Sequence, residues 1–408
     1  MGLCCGYYAQ KEGWQVTILE SGDENRSGCS FGNAGMVVPS HMVPLAAPGM
    51  LGLGVRMMFN RRSPFAIKPR ITAELLQWSY NFMKAATAEH VQRVAPLLRD
   101  LNLSSREAYL ELEDELGPVF NLTQRGLIML CKTEKMLDEE EKTADLARGL
   151  GVPAQVLDSA ALNELDPGIT MDVCGGIYFP RDCHLSPDKF VAAITRRFKE
   201  LGGVVALNAE VVDWRHRGNC ITAVATAEGE YEGDEFVLSA GAWSSLVASK
   251  LGLRIPMQAG KGYSITLSNA PQMPEICSIL MEARVAVTPM GDNLRFGGTM
   301  EIAGLDQSVS RERVRGIIES IPSYFPAFES SLFRGKPVWS GLRPCSPDGI
   351  PYIGRFNSFN NLICATGHAM MGLSLAPVTG RIVANLLQGA VPSFDMQALS
   401  PNRYQPVK

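Results

Sequence analysis

Glu20 closes the short apolar run Gln15-Val16-Thr17-Ile18-Leu19, which follows a segment, Leu3 to Gln10, that reads as a helix opened by Gly2. A carboxylate at a strand end, about 20 residues after a glycine-opened helix, is placed to accept hydrogen bonds from the ribose hydroxyls of a dinucleotide. Taken alone, Glu20 reads equally well as an exposed acid, and one glycine at a helix start is common. The stretch SGCSFGNAGMVVP is more telling. Its three glycines, within residues 27–39, leave backbone N–H groups uncovered for a phosphate or a flat ring. The continuation MVVP is too apolar for a plain surface loop.

Other chemistries find little support. Among ten cysteines only Cys4 and Cys5 are adjacent, and no C-x-x-C or zinc-spaced Cys/His pair occurs. That indicates neither a metal site nor a disulfide framework, and fits free thiols in a reducing cytosol. A net charge of −4 without a Lys/Arg run argues against nucleic acid. No signal peptide is visible, and no apolar run reaches the roughly 18 residues of a membrane span. The expected location is cytoplasmic.

At 408 residues the chain exceeds the size of one core, so two domains are expected. PDKFVAAITRRFKELGG predicts a helix with Val191, Ile194, Phe198 and Leu201 on one face, and VVALNAEVVDW a strand after it. Residues 70–150 read as helix-rich, 256–335 as alternating strands closed by a helix. The fold class that follows is α/β: a Rossmann-like nucleotide-binding domain over 1–45, 151–255 and 336–408, interleaved with a mixed α+β substrate domain over 46–150 and 256–335. The first strand of the βαβ unit and its G-x-G-x-x-G turn are missing from it.

Six motifs occur in order: Glu20-Ser21, SFGNAGM, VVALNAEVVDW, LSAGAWSS, WSGLRPCSPDGIPYIG and TGHAMMGLSLAPVTGRIVANLL. Together they resemble the FAD-dependent D-amino-acid dehydrogenase and glycine oxidase family, in the D-amino-acid oxidase superfamily, from residue 1 to about 390. The resemblance implies non-covalent FAD and an internal start, with Gly2 as the third glycine of the phosphate turn next to Met1. Glu20 and Ser21 would hold the adenosine ribose, and the Val211 backbone would meet the adenine. Cys29, Ser30, Ala34, Gly35 and Met36 would line the pyrophosphate and flavin side. Ala240, Gly241 and Trp243 would pass the pyrophosphate and ribitol. Gly367, His368, Met371, Gly372 and Leu373 would open the last helix toward the flavin.

By the same resemblance Arg343 would hold a substrate carboxylate, a task that suits its planar fork; a structural pairing with Asp348 is the alternative. Met370 and Ala286 stand where glycine oxidase carries an arginine and a tyrosine, and Arg284 is a candidate to supply the lost polar contact. Tyr263 either lines the pocket or is a core tyrosine. The position of a cysteine anchor for flavin in related enzymes falls on Gly341, not Cys345. The implied reaction is oxidation of the Cα–N bond of a D-amino or cyclic imino acid, with D-proline and cis-4-hydroxy-D-proline as candidates, by hydride transfer to flavin N5. Electrons would pass to a quinone, an electron-transfer protein or oxygen. A cofactor-poor remnant and an oxygen-using glycine/sarcosine-type oxidase are the rivals. Residues 50–69, with Arg61 and Arg62, are either a peripheral contact with the inner face of the membrane or a segment packed on the substrate domain.

Overall fold

A three-residue strand cannot bury itself, and Thr17–Leu19 finds its place by parallel pairing with Val204–Ala206 in the computed structural model, which describes residues 1–25, 28–49, 52, 64–67 and 72–405. A second small sheet runs Phe236–Leu238, Leu362–Thr366, Tyr352–Arg355, its first pair parallel. The first helix, Gly2–Lys11, lies across both. A Cβ added at Gly2 would stand 2.8 Å from Ser239 Oγ, and one at Gly6 2.9 Å from Ile18 Cδ1. Behind it runs the helix Ala376–Leu387, where a Cβ on Gly380 would come within 2.6 Å of the Cys4 carbonyl. The segment VVALNAEVVDW is not one strand: it turns at Asn208 (φ 55) and resumes as Asp213–Arg217.

Both small sheets keep an open edge. In a parallel ladder alternate residues direct their N–H and C=O to one neighbour. Glu20 N–H bonds Ala206 O at 2.9 Å and Val204 N–H bonds Val16 O at 3.0 Å, so Thr17 and Leu19 face away. Phe236 N–H bonds Asn361 O at 2.9 Å, which turns Val237 outward in the same manner. No strand among the described residues pairs on either side. Leu19 packs into the cluster of Phe236, Leu238 and Leu362, so the two edges border one core.

The larger sheet holds nine strands among the described residues. Its order is Val338–Cys345, Gln258–Ser268, Asn293–Ile302, Val285–Met290, Cys277–Leu280, Leu127–Cys131, Gly175–Phe179, Gln155–Asp158, and Phe65–Ile67 pairs with Asn293–Ile302. Strand pairing therefore draws the boundary differently from the expected 151–255 and 336–408. Residues 155–179 and 338–345 join the sheet of the substrate side. One face of this sheet packs Tyr263, Ile265 and Phe296 against the helix Arg311–Ser320. The other packs Leu127, Met129 and Ile177 against Met36, Val38 and Met42.

The helix-rich segment is as expected: Ala73–Ala85, Ala88–Leu116 and Glu134–Gly149 each begin at a threonine whose side chain caps the first turn. No described helix is long and apolar enough to cross a membrane. The segment 50–69, apart from 52 and 64–67, lies outside the described residues.

A strand and glycine turn joined ahead of Met1 would offer hydrogen-bonding groups to both open edges. Such an extension should raise retained FAD several-fold and lift the unfolding midpoint, measured by flavin absorbance per protein and by thermal melts. Equal values with and without it would show that the edges need no partner.

Candidate active site

Arg343 lies on Val338–Cys345, opposite Gly260 of Gln258–Ser268. Opposed residues of an antiparallel pair share a face, so Arg343, Gly341 and Trp339 project to the same side as Gly260, Gly262 and Ser264. The guanidinium lies over Gly262, where an added Cβ would come within 2.4 Å of its carbon. Its Nη1 donates to the Thr299 carbonyl at 2.7 Å, and no carboxylate pairs with it among the described residues. The pairing with Asp348 does not occur, because Arg403 occupies that carboxylate through two bonds of 2.7 and 3.0 Å. Burial pushes the Asp348 carboxyl up, and the Arg403 charge outweighs it, leaving the carboxyl below its ordinary value.

The same face meets the glycine-rich loop. Ala286, opposite Gly297, packs with Ala34, Ile279 and Met371 around Met36 and Met129. Trp339 lies against the loop: a Cβ on Gly32 would stand 1.9 Å from its ring, and one on Gly341 2.0 Å. Arg295, two residues along from Gly297, donates from Nη1 to the carbonyls of Phe31 and Asn33, each at 2.9 Å. Gly35 takes φ 75, and a Cβ there would strike the Leu185 carbonyl at 2.2 Å. Cys29 and Ser30 are half-buried at the start of this loop. An isolated bridge between Cys345 and His368 brings the last turn to the end of the arginine strand. There Met370 is 46% exposed and Met371 half-buried.

Other candidates are placed elsewhere. Tyr263 stands on the opposite face, 1% exposed, its hydroxyl donating to Glu301 at 2.9 Å and accepting from Ser310 N–H. Of its two readings the geometry supports the core tyrosine. Arg284 sits exposed in the turn before Val285, at φ 53, with the Glu140 carboxyl as an electrostatic neighbour. The His368 ring is buried and bonded to Thr379 Oγ1 at 3.0 Å; burial lowers its pKa to about 3. Leu373 packs beside Tyr7 and Tyr109. In this turn Met371 N–H is taken by the His368 carbonyl, and Gly372 and Leu373 N–H have no partner among the described residues.

The nucleotide-side candidates gather at the ends of the small sheets. Glu20 accepts from Gly22 N–H at 2.9 Å, and the Ser21 hydroxyl lies 3.4 Å from it. Val211 is half-buried, against the cluster that also takes Ala240. Gly241, at φ 56, has open space where a Cβ would project, and Trp243 is 41% exposed beside it. Met1 caps the first helix without a side-chain bond, and no acid occupies the first turn.

Three positioning groups were not foreseen. Asn102, Ser105 and Tyr109 interrupt the buried face of Ala88–Leu116 and bind the last turn: Ser374 Oγ donates to Asn102 at 2.9 Å, Ser105 donates to Ser374 O at 2.5 Å and Tyr109 to Leu373 O at 2.7 Å. Their spacing of three and four, polar within an apolar stripe, was the available signal. Arg295 had none. Asp182 anchors the far end of the loop, accepting from Ser40 N–H at 3.1 Å and Ser40 Oγ at 2.5 Å.

The model of the FAD dependent oxidoreductase family (DAO) matches residues 1–386. The chain belongs to that family. D-amino acid dehydrogenases of Granulibacter bethesdensis and Methylobacterium radiotolerans are 30% and 31% identical to it, over 99% of this chain and 97% of each relative. A glycine oxidase from Geobacillus kaustophilus shares the fold at a TM-score of 0.77 and 23% identity, over 99% of this chain and 96% of that one. L-proline dehydrogenase from P. horikoshii shares it at 0.74 and 19%, over 99% and 95%.

The cofactor of the family is FAD, and the described residues fit it. The first helix presents an uncapped N-terminus, which favours a phosphate. Buried polar atoms without a partner among the described residues (His184 Nδ1, Thr288 Oγ1, Thr299 Oγ1 and Ser346 Oγ) flank the glycine loop and the arginine strand. Burial holds the His184 imidazole neutral, its pKa lowered to about 4. Cys345 is buried and bonded to the Arg343 carbonyl at 3.5 Å, and Trp339 fills the space at Gly341.

Arg295→Met should raise the dissociation constant of FAD at least about a hundredfold, because two charged-donor bonds to the loop are lost at roughly 1.5–3 kcal/mol each. Equilibrium dialysis of FAD checks it. The second test is pH. Burial raises the Asp182 carboxyl from 3.8 to about 7. Its stabilisation is therefore complete below pH about 4 and is lost as pH rises through about 7, on the order of 4 kcal/mol. Asp182→Asn should flatten that part of the stability–pH curve, read as the difference in urea midpoint between variant and wild type. Parallel curves would show that Asp182 ionises without cost.

Proposed function

We propose that the chain oxidises the Cα–N bond of a D-amino or cyclic imino acid whose carboxylate rests on Arg343. The observation that carries this reading is the Arg343 guanidinium itself: half-buried, on the face that meets the glycine loop, and without an acidic partner among the described residues. A half-buried cation of that kind calls for an anion from solution. The dehydrogenase relatives, about 30% identical over nearly the whole chain, support the D-configuration.

When bound, FAD supplies the acceptor for the two electrons and the hydrogen leaving Cα. The protein orients. Arg343 fixes the carboxylate, the Thr299 carbonyl fixes Arg343, and the loop held by Arg295 and Trp339 closes the apolar side. No general base is required if the amine arrives neutral. Electrons then pass to a quinone, a carrier protein or oxygen.

Ala286, Ile279 and Met371 make one wall apolar. Each buried methylene there is worth about 0.8 kcal/mol, so glycine should be the weakest substrate and a compact ring such as D-proline or cis-4-hydroxy-D-proline among the best. With the carboxylate fixed, inversion at Cα turns its hydrogen away. Anaerobic bleaching of the flavin by glycine, D-alanine, D-proline, cis-4-hydroxy-D-proline and the L-forms tests this. Fastest bleaching by glycine or an L-form would reject it. Arg343→Ala should raise KM for the best substrate at least about a hundredfold, as expected for a lost charge-assisted bidentate pair, with FAD content unchanged.

A further inference from the structure

Thr299 stands in a conformation that its side chain opposes. Its φ is 73, in the left-handed region where a β-branched residue is strained. The cause is a β-bulge. Lys261 pairs with Glu301 and Tyr263 with Gly298, so Thr299 and Met300 together face the single residue Gly262. The bulge turns the Thr299 carbonyl toward the Arg343 guanidinium, which lies over the same Gly262.

The hydroxyl is the second cost. Thr299 is 6% exposed, and its Oγ1 has no hydrogen-bond partner among the described residues. An orphaned buried hydroxyl is expensive, and glycine would relieve both the strain and the desolvation at this position. A residue that carries both costs beside a binding guanidinium points to a ligand that repays them. Taking the reading of Arg343 given above, we infer that Thr299 is a second substrate-binding residue, whose hydroxyl donates to the carboxylate held by Arg343.

Distance permits it. The Thr299 carbonyl is 2.7 Å from Nη1, and covalent geometry keeps Oγ1 within about 5 Å of its own carbonyl oxygen. A carboxylate that bonds both groups spans roughly 8 Å from donor to donor, more than the gap to be bridged. Thr299 thus has two tasks. Its carbonyl sets the direction of the guanidinium, and its hydroxyl takes up part of the anion that the guanidinium attracts.

Thr299→Val removes the hydroxyl and keeps the branched shape, and Thr299→Ser keeps the hydroxyl. In the FAD-loaded enzyme the valine variant should raise KM for the best amino acid about tenfold, the worth of one hydrogen bond to a charged group, with kcat within about twofold. The serine variant should restore KM. Propionate, a carboxylate without an amine, should perturb the flavin spectrum of the valine variant only at about tenfold higher concentration than in wild type. The unfolding midpoint of the valine variant, without substrate, should equal or exceed that of wild type. An unchanged KM, no rescue by serine, unaltered propionate binding, or a KM effect that merely follows FAD loss would each overturn the assignment. Arg343→Ala run in parallel separates the two readings. If it abolishes carboxylate binding while Thr299→Val is silent, only the role of Thr299 falls; if it too is silent, the carboxylate site itself is misplaced.

Discussion

The Ser374 side chain joins three segments that lie far apart in sequence. Its hydroxyl accepts from Val38 N–H at 3.2 Å and donates to Asn102 at 2.9 Å, while its carbonyl takes the Ser105 hydroxyl at 2.5 Å. All three partners are buried, so each bond left unmade would cost on the order of 1–3 kcal/mol. The glycine loop, the long helix and the last turn are locked to one another at that point. Because the turn is held there, the N–H groups of Gly372 and Leu373 stay without a partner among the described residues, and Met371 reaches the wall that Ala286 begins. The face of the large sheet meets the glycine loop and the last turn through this junction.

Charge is distributed with the same economy. Arg403 satisfies Asp348, and stacks its guanidinium 3.9 Å from the centre of the Tyr352 ring. On the far face Lys261 and Arg313 lie beside Glu301 at 3.8 and 3.6 Å. Among the described residues each buried carboxylate near the arginine strand is thereby engaged, and Arg343 alone among these cations keeps only a carbonyl. A neutral dipole orients a guanidinium without cancelling its charge, which is the condition for binding an anion that arrives and leaves.

The sequence made the nucleotide-binding half legible because its signals are local: a glycine-opened helix, an acid at a strand end, a loop too rich in glycine and then too apolar. Register was not legible. Tyr263 and Arg343 fall on opposite faces because Tyr263 pairs with Ser340, and nothing in KGYS or WSGLRP announces that pairing. Nor was it legible that 155–179 and 338–345 pair into the large sheet, since a strand's period of two says nothing of which sheet it joins. The bulge at Thr299 hides for a further reason: an extra residue in one strand is visible only against its partner.

Glycine explains how so much side chain fits on one face. Gly260, Gly262 and Gly341 lie side by side, and the positions where their Cβ atoms would project are filled by Met300, Arg343 and Trp339 respectively. Ordinary side chains there would hold those three groups upright. Without them, the thioether, the guanidinium and the indole lie flat across the sheet, and the loop of residues 28–36 can settle close enough for Arg295 to reach its carbonyls. Glycine strands are weak strands, with little to pack and more entropy to lose. Here the weakness is offset from above, by the large side chains that the glycines admit. Any side chain at Gly262 or Gly341 therefore acts at a distance, by lifting the arginine or the tryptophan away from the loop, and the site would open before the sheet came apart.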